Sequence, residues 1–186
     1  MANQYDLVVL GAGPGGYVAA IRAAQLGLKI AIIEKKYWGG VCLNIGCIPS
    51  KALLKNAELA HTLQHRAKEF GFSFDNLALD YNVAFKRSRQ VSNRLVKGVQ
   101  FLMKKNNIDV FEGTGQLTGR ESIQVTLNDG GETTLAARNI IIATGARPRQ
   151  LPGVPFDGER IISYIEAILS EEVPQSLIII GGGVIG

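Results

Sequence analysis

The apolar positions in the first part of the chain form short continuous runs on either side of an Ala-rich stretch. Residues 5–10 (YDLVVL) and 30–33 (IAII) have the pattern of strands buried on both faces of a parallel sheet. Between them, residues 15–26 favour a helix, and Gly27 is placed to end it. Because strand, helix and strand follow one another within about thirty residues, we predict a βαβ unit with a right-handed crossover.

The pattern after this unit predicts two long helices and several further strands. Apolar spacing over residues 48–64 and 81–106 is helical, and residues 108–111 form another buried apolar run. Alternating segments within 116–135 flank Asn128-Asp129-Gly130-Gly131, a hairpin turn, so we expect a small antiparallel meander beside the parallel sheet. The remaining predicted elements are strands at 139–143 and 176–180, a connector at 147–158 and a short helix at 164–169.

Composition and charge narrow the class of protein. The 186 residues are 46% hydrophobic and 19% charged, as in soluble α/β proteins. The net charge is only +4 and no basic run exceeds a pair, so we expect no nucleic-acid partner. No apolar stretch approaches the ~18 residues of a membrane span, and the first apolar run is too short for a signal peptide. We therefore expect a cytoplasmic protein without a membrane partner.

A glycine motif of the form G-x-G-x-x-G lies between the first predicted strand and helix. Alone this motif is weak, but its position after a strand and before a helix is typical of dinucleotide-binding folds. Gly11 permits the tight turn, Gly13 lets the backbone approach a pyrophosphate, and Gly16 lets the helix pack on the strand. Glu34, at the end of the next strand, can accept hydrogen bonds from ribose hydroxyls. The alternative is a glycine-rich turn with a surface glutamate.

A second copy of the motif stands at the end of the sequence. Gly181, Gly183 and Gly186 follow the predicted strand 176–180, and two motifs indicate two dinucleotides. The sequence stops before the helix whose first turn would hold the second pyrophosphate. We therefore expect the chain to be the N-terminal piece of a longer enzyme, inactive by itself.

The two cysteines, Cys42 and Cys47, lie close together. Two cysteines placed at random would fall five apart about once in 100 chains of this kind. A metal site would need two further ligands, and the only histidines, His61 and His65, lie on a polar helical stretch, so we expect no metal.

A reducing compartment does not normally keep a structural disulfide. Pro49 predicts a helix start near Cys47, where the positive helix end favours a reactive thiolate. These features favour a redox pair over two buried thiols.

The segments GAGPGGYVAAIRAAQLG and GGVCLNIGCIPSKALL together resemble the flavoprotein disulfide reductases, and the resemblance continues through ATGARP to GGGVIG. It implies FAD at the first glycine motif and NAD at the second. The fold expected from it is α/β. Residues 1–150 would form a doubly wound, Rossmann-like FAD-binding domain with the cysteine pair and the meander. Residues 151–186 would form a connector and the first strand of an NAD-binding domain.

The resemblance also implies roles for individual residues. Cys42 would exchange with the thiol substrate, Cys47 would lie next to the flavin, and the two would form a redox-active disulfide. Lys51 would lie beside the flavin's reactive nitrogen. Val41 departs from the family, because this position is often Thr. The remaining FAD contacts implied are Gly11, Gly13, Pro14, Gly15, Gly16, Glu34, Lys35, Gly40, Gly115, Ala143, Thr144 and Gly145, with NAD contacts at Gly181, Gly183 and Gly186.

The residues after Cys47 narrow the substrate. Glutathione and trypanothione reductases usually read Pro-Lys-Lys, whereas this chain reads Pro49-Ser50-Lys51. Mercuric reductase shares much of the pattern but often carries an N-terminal metal-binding extension. The resemblance thus favours oxidation of dihydrolipoamide by a homodimer whose partner is the lipoyl-bearing acyltransferase of a 2-oxo acid dehydrogenase complex. The alternatives are a mercuric or glutathione reductase, a non-catalytic FAD-binding module, and an NAD dehydrogenase with incidental cysteines.

Overall fold

The computed structural model describes residues 3–186, which divide into two compact units. The first unit comprises the residues up to Asn44 together with Asn93–Arg147, and the second comprises Ile45–Ser92 and Pro148–Gly186. Each unit is described by itself.

A mixed five-stranded sheet forms the centre of the first unit. Strand β1 pairs in parallel with both β2 and β5, and β2 pairs in parallel with β3. Strand β4 runs antiparallel to both β3 and β5. The strands are β1 (Asn3–Leu10), β2 (Ile30–Glu34), β3 (Asp109–Leu117), β4 (Ser122–Leu127) and β5 (Glu132–Ile142). The predicted α/β class is therefore confirmed.

The sheet closes on itself because β3 and β5 are longer than the sequence predicts. Residues 109–112 of β3 pair with β2, whereas residues 113–117 pair with β4. Residues 132–136 of β5 pair with β4, and residues 135–142 pair with β1. The hairpin at 128–131 is present, but the meander shares its outer strands with the parallel sheet, where the sequence predicts a separate meander.

Alternate side chains of the strands build the core of this unit. The buried residues of one cluster are Tyr5, Val8, Leu10, Ala31, Ile33, Ile123, Val125, Leu135 and Ala137. Val9 and Ile32, which follow Val8 and Ala31, are also fully buried, so β1 and β2 are covered on both faces. Each such aliphatic side chain contributes about 1.5–3 kcal/mol on burial. This packing fixes the loops that follow the strands.

Two helices of the first unit follow β1 and β2 directly. Helix α1 (Pro14–Gln25) starts with proline in its first turn, and the close packing of Gly16 brings it against Val9. Helix α2 (Gly40–Ile45) is a short helix after β2, and the side-chain amide of Asn44 donates to the backbone oxygens of Trp38 and Gly40 at 2.9 and 2.8 Å. The predicted helix at 15–26 is confirmed to within one residue.

The second unit is helical. Its helices are α3 (Cys47–Arg66), the first part of α4 (Tyr81–Lys105) and α5 (Tyr164–Leu169), with a 3₁₀ turn at Ala67–Phe70. Ser163 and Glu166 form a capping box that starts α5. All three helices agree with the sequence prediction. No helix within residues 3–186 is both long and apolar enough to cross a membrane.

The predicted strand at 176–180 is wrong for this structure. These residues pair with no other strand among residues 3–186, and their side chains are exposed, Ile178 to 90%. A continuous apolar run indicates burial, but a strand exists only when a neighbour accepts and donates its backbone hydrogen bonds.

Candidate functional site

The turn between β1 and α1 depends on two glycines that touch. Gly11 has a positive φ of 96°, and its N–H donates to the backbone oxygen of Ile33 at 2.8 Å. A Cβ added to Gly16 would overlap the carbonyl oxygen of Gly11. The first turn of α1 can therefore cross the end of β1 only with glycine at position 16. Consequently the free N–H groups at the start of α1 lie at the carboxyl edge of the sheet.

A second close approach brings the start of α2 to this turn. Gly40 has a positive φ of 66°, and a Cβ there would lie 2.5 Å from the Cα of Gly13. The N–H of Gly39 also donates to the backbone oxygen of Ala12 at 2.9 Å. The backbone of the glycine motif is thus in contact with the backbone that begins the first cysteine-bearing helix.

The carboxylate of Glu34 ties the loops after β1 and β2 together. Its Oε2 accepts from the backbone N–H of Ala12 at 2.8 Å. Its Oε1 accepts from the N–H groups of Lys36 and Tyr37 at 2.8 and 2.9 Å. A carboxylate has about four lone-pair sites, and these three bonds leave one of them, on Oε2, available. The group therefore keeps acceptor capacity for a ligand hydroxyl while it holds three backbone donors.

A groove of ≈ 140 Å³ opens at this edge of the sheet. It is lined by Leu10, Gly11, Ile33, Glu34, Lys35, Gly113, Thr114, Gly115 and Thr144. Five of these were predicted cofactor contacts: Gly11, Glu34, Lys35, Gly115 and Thr144. The structure thus brings together residues that are distant in the sequence and that come from the ends or middles of four strands.

Gly115 lets β3 pack closely against two side chains that line the groove. A Cβ at Gly115 would lie 2.6 Å from Cδ2 of Leu10 and 3.2 Å from Cδ1 of Ile33. Gly113 and Thr114 also line the groove, and sequence reasoning missed both. The available signal was the Gly-Thr-Gly spacing within one strand, because glycine inside a strand marks a close approach of backbone or ligand.

The end of β5 completes the wall beside Gly11. The N–H of Ala143 donates to the oxygen of Leu10 at 2.8 Å, and a Cβ at Gly11 would strike the carbonyl oxygen of Ala143. The Cβ of Ala143 lies 3.9 Å from the position a Cβ would take on Gly15. Thr144 and Gly145 follow and are exposed. Ala143 therefore contacts the glycine motif directly.

The two cysteines occupy two consecutive helices. Cys42 is half-buried in α2 of the first unit, beside Val41, which is 36% exposed. Cys47 is exposed and is the first residue of α3 in the second unit. Gly46 is the one residue between the two helices. The predicted helix start at Cys47 is confirmed, so its sulfur lies where unpaired backbone N–H groups favour negative charge.

The first turn of α3 also carries Lys51 and Ser50. Lys51 is exposed one turn after Cys47. The hydroxyl and the N–H of Ser50 both donate to the backbone oxygen of Gly46, at 2.8 and 3.1 Å. These bonds stabilise the turn that begins with Cys47. Lys51 adds a cation to the same short segment.

The second glycine motif repeats the local geometry of the first. Gly181 has a positive φ of 113°, and a Cβ on Gly186 would overlap the carbonyl oxygen of Gly181. That Cβ would also lie 3.2 Å from Ile179, just as a Cβ on Gly16 would lie 3.3 Å from Val9. The segment around Gly183 is exposed and has no helix after it among the described residues. The local sequence therefore forms the same turn at both glycine motifs.

The described residues 3–186 contain no group of three or more His, Cys, Asp and Glu side chains that could hold a metal ion. A complete zinc site needs four ligands. The cysteine pair is therefore not part of a larger ligand cluster within this range.

Comparison with known proteins assigns the chain to a family. Residues 5–186 match the family model described as pyridine nucleotide-disulphide oxidoreductase. The chain belongs to the pyridine nucleotide-disulphide oxidoreductase family. The resemblance drawn from the glycine motifs and the cysteine pair is thus confirmed, and membership implies use of FAD and a nicotinamide nucleotide.

Three relatives and one solved structure are similar to this chain over nearly its whole length. The dihydrolipoyl dehydrogenase of Mycobacterium tuberculosis is 56% identical over 184 residues, covering 99% of this chain and 39% of that protein. The dihydrolipoyl dehydrogenases of Corynebacterium glutamicum and Zymomonas mobilis are 51% and 50% identical, covering all of this chain and 39% and 40% of theirs. The crystal structure of LpdA from M. tuberculosis superposes with a TM-score of 0.82 at 26% identity, covering 93% of this chain and 38% of that one. The chain thus spans about 39% of the length of such curated relatives.

Proposed function

We propose that this chain is the FAD-binding part of an enzyme that oxidises dihydrolipoamide to lipoamide and reduces NAD. The groove at the carboxyl edge of the sheet carries this proposal. It joins Gly11, Glu34 and Thr144 beside the helix start that suits a pyrophosphate. The cysteine pair follows in the next two helices, and relatives at 50–56% identity are named dihydrolipoyl dehydrogenase.

The proposed organisation has two parts. Residues 1–150 form the doubly wound FAD-binding domain with the redox pair, and residues 151–186 form the connector and the start of an NAD-binding domain. The repeated turn geometry at Gly181 and Gly186 supports the second part, because the same geometry at Gly11 and Gly16 opens the first. NAD would contact Gly181, Gly183 and Gly186.

The residues around the groove fit a dinucleotide. The N–H groups at the start of α1 would hold the pyrophosphate, approached through Gly13, Pro14 and Gly15. Glu34 would accept from the ribose. Gly115 lines the groove, and the absence of a side chain there lets β3 pack closely against Leu10 and Ile33. Further contacts in this proposal come from Lys35, Gly40, Val41, Lys51, Ala143, Thr144 and Gly145.

The cysteines would carry out the thiol exchange. A substrate thiolate attacks the sulfur of Cys42 in the disulfide, which forms a mixed disulfide and releases the thiolate of Cys47. The second substrate thiol then displaces Cys42 and closes the lipoyl ring. The start of α3 and Lys51 stabilise the negative charge left on Cys47. FAD, when bound, supplies the redox chemistry between this dithiol and the nicotinamide.

The setting proposed for the whole enzyme follows from the same relatives. It acts as a cytoplasmic homodimer that receives its substrate from the lipoyl-bearing acyltransferase of a 2-oxo acid dehydrogenase complex. Neither nucleic acid nor a membrane is part of this proposal, since the net charge is only +4.

The first experiment measures FAD binding by fluorescence quenching. Gly13→Ala tests the site without disturbing the fold, because an added Cβ would lie 3.8 Å from Gly40, an ordinary contact. We expect the methyl group to block the approach of the pyrophosphate and to weaken FAD binding at least tenfold. Gly98→Ala, in open space on α4, is the matched control and should bind like wild type. Equal FAD affinity in Gly13→Ala and Gly98→Ala would contradict the assignment of the groove.

A substrate panel separates the alternatives. The full-length enzyme is assayed with dihydrolipoamide and NAD, with glutathione disulfide and a reduced nicotinamide nucleotide, and with Hg²⁺ and the same reductant. We expect turnover with dihydrolipoamide to exceed the others by at least a hundredfold. Preference for Hg²⁺ or glutathione disulfide would reassign the substrate, and FAD binding without any turnover would favour a non-catalytic module.

A further inference from the structure

The two histidines of the chain form a pair on the surface of α3. His61 and His65 are both exposed, lie one helical turn apart, and have ring centres 4.6 Å apart with planes inclined by 47°. Residues at this spacing share one helix face. Neither residue contributes to the groove or to the thiol exchange. From the sequence, the polar helical stretch around these histidines gave no sign of the further ligands that a four-ligand metal site needs.

The spacing of the rings fits two ligands of one metal ion. An imidazole nitrogen binds at ~2.0–2.1 Å, and the ring centre lies about 1.1 Å further from the ion. Two imidazoles at a right angle, as in tetragonal Cu²⁺ or Ni²⁺ sites, then have ring centres about 4.5 Å apart. The observed 4.6 Å agrees with this value. Because the ring centre lies near the χ2 axis, rotation about χ2 can turn both nitrogens to one ion without moving the centres.

The nearby carboxylates are engaged elsewhere. Glu58 pairs with Lys55 at 2.9 Å, and Glu69 pairs with Arg66 at 2.7 Å. The histidines therefore offer two protein ligands, and water would complete the coordination of an exposed ion. Imidazole is a ligand preferred by Cu²⁺, Ni²⁺ and Zn²⁺, and affinity for Cu²⁺ exceeds that for the other two.

We propose that His61 and His65 form a two-histidine surface site for a divalent transition-metal ion, with Cu²⁺ bound most tightly. The site lies far from Cys47 along α3. His61 lies fourteen positions after Cys47 in α3, which is about 21 Å along the helix axis. An ion on the histidines therefore does not reach the sulfur of Cys47 through a direct bond.

The test titrates the tag-free full chain with Cu²⁺ by calorimetry, in a Cys42→Ser, Cys47→Ser background that removes the competing thiols. We expect one ion per chain and imidazole nitrogen coupling in the electron paramagnetic resonance spectrum. His61→Asn or His65→Asn should weaken binding at least tenfold. H61N/H65N contains no imidazole, since the sequence has two histidines, and should lose the nitrogen coupling.

A control variant changes the spacing of the two histidines without changing the amino-acid composition. A57H/H61A moves one histidine to another exposed position, so that the pair becomes two turns or about 12 Å apart. It should bind as weakly as a single-histidine variant. Affinity within threefold of the background protein in A57H/H61A or in H61N/H65N would overturn the proposal.

A second experiment keeps both cysteines, so that its result does not depend on how the serine variants fold. Ni²⁺ is added to the wild-type chain, and the two histidine ring-proton resonances are followed by nuclear magnetic resonance. We expect both to broaden together at the same Ni²⁺ concentration, and neither to do so in A57H/H61A at that concentration. Independent broadening of the two rings would also contradict a shared ion.

Discussion

Glu34 accepts a hydrogen bond of 2.8 Å from the backbone N–H of Ala12, which lies 22 residues earlier in the chain. The contact joins the glycine motif to the end of β2. Because the other carboxylate oxygen holds Lys36 and Tyr37, one side chain orders both loops that border the groove. The residue predicted to accept hydrogen bonds from the ribose is therefore also a structural tether.

The first prediction concerns this double role. Glu34→Gln removes the charge and turns an amide N–H₂ toward backbone donors. We expect the free energy of unfolding to fall by about 1.5–3 kcal/mol, the usual size for hydrogen bonds to a charged group. FAD affinity should fall at least tenfold. Urea unfolding and FAD titration measure the two effects, with the exposed Glu121→Gln as the control. Lower stability with unchanged FAD affinity would leave Glu34 as a tether only.

The second prediction contrasts two glycines in helices. Gly16→Ala forces its Cβ onto the carbonyl oxygen of Gly11, so we expect a loss of about 1–3 kcal/mol through overpacking. Gly98→Ala adds its Cβ to open space within α4. It should stabilise the chain by about 0.5–1 kcal/mol, because alanine loses less backbone entropy in a helix. Thermal unfolding of the two variants checks the opposite signs, and equal signs would disprove the contact at Gly16.

The sequence predicts those elements whose signals are local. The helices starting at Cys47 and Tyr81, the turn at Gly11 and the hairpin at Gly130 all depend on residues within a few positions. The closure of the sheet was not predictable in this way, because it requires β5 to pair with β1 and β4 at once. Likewise Gly113 and Thr114 line the groove only because β3 continues past its apolar residues. Long-range pairing decides both features.

The third prediction uses the buried hydroxyl of Tyr5, which donates to Oδ2 of Asp109 at 2.8 Å. Burial, and then the carboxylate, raise the pKa of Tyr5 well above its ordinary value near ~10. In the unfolded chain the phenol loses its proton near that value while the folded chain retains it. Stability is therefore highest below about pH 10 and falls as the pH rises above it.

Tyr5→Phe isolates this effect. At neutral pH it should cost about 1.5 kcal/mol, the lower end for a bond to a charged group, since Asp109 is exposed. The difference in unfolding free energy between wild type and Tyr5→Phe should shrink between about pH 9 and 11. Urea unfolding at each pH measures it, and taking the difference cancels the titration of the lysines. A difference that stays constant across this range would show that the phenol titrates alike in both states.

The last prediction concerns which of the two cysteine sulfurs lies next to the flavin. Cys42 lies half-buried within α2, whereas Cys47 is exposed at the start of α3 beside the unpaired N–H groups of its first turn. The proposed function places the exposed sulfur of Cys47 next to the flavin and gives Cys42 the exchange with the substrate thiol. In the full-length protein with FAD, Cys42→Ser should therefore retain a long-wavelength charge-transfer band, and Cys47→Ser should lose it. Thiol counting on the wild-type chain should yield two additional thiols after mild reduction.

The control variants distinguish the effect of the Lys51 charge from the effect of the disulfide between the two cysteines. Both serine variants abolish the disulfide, so neither should gain thiols on reduction, and only the band should distinguish them. Lys51→Gln removes the cation one turn from Cys47 and keeps both sulfurs. It should leave the thiol count unchanged and weaken the band, because the segment that carries Cys47 then lacks a positive charge that attracts negative charge. A band that survives in Cys47→Ser but disappears in Cys42→Ser would exchange the two roles. An unchanged thiol count in wild type would remove the redox pair altogether.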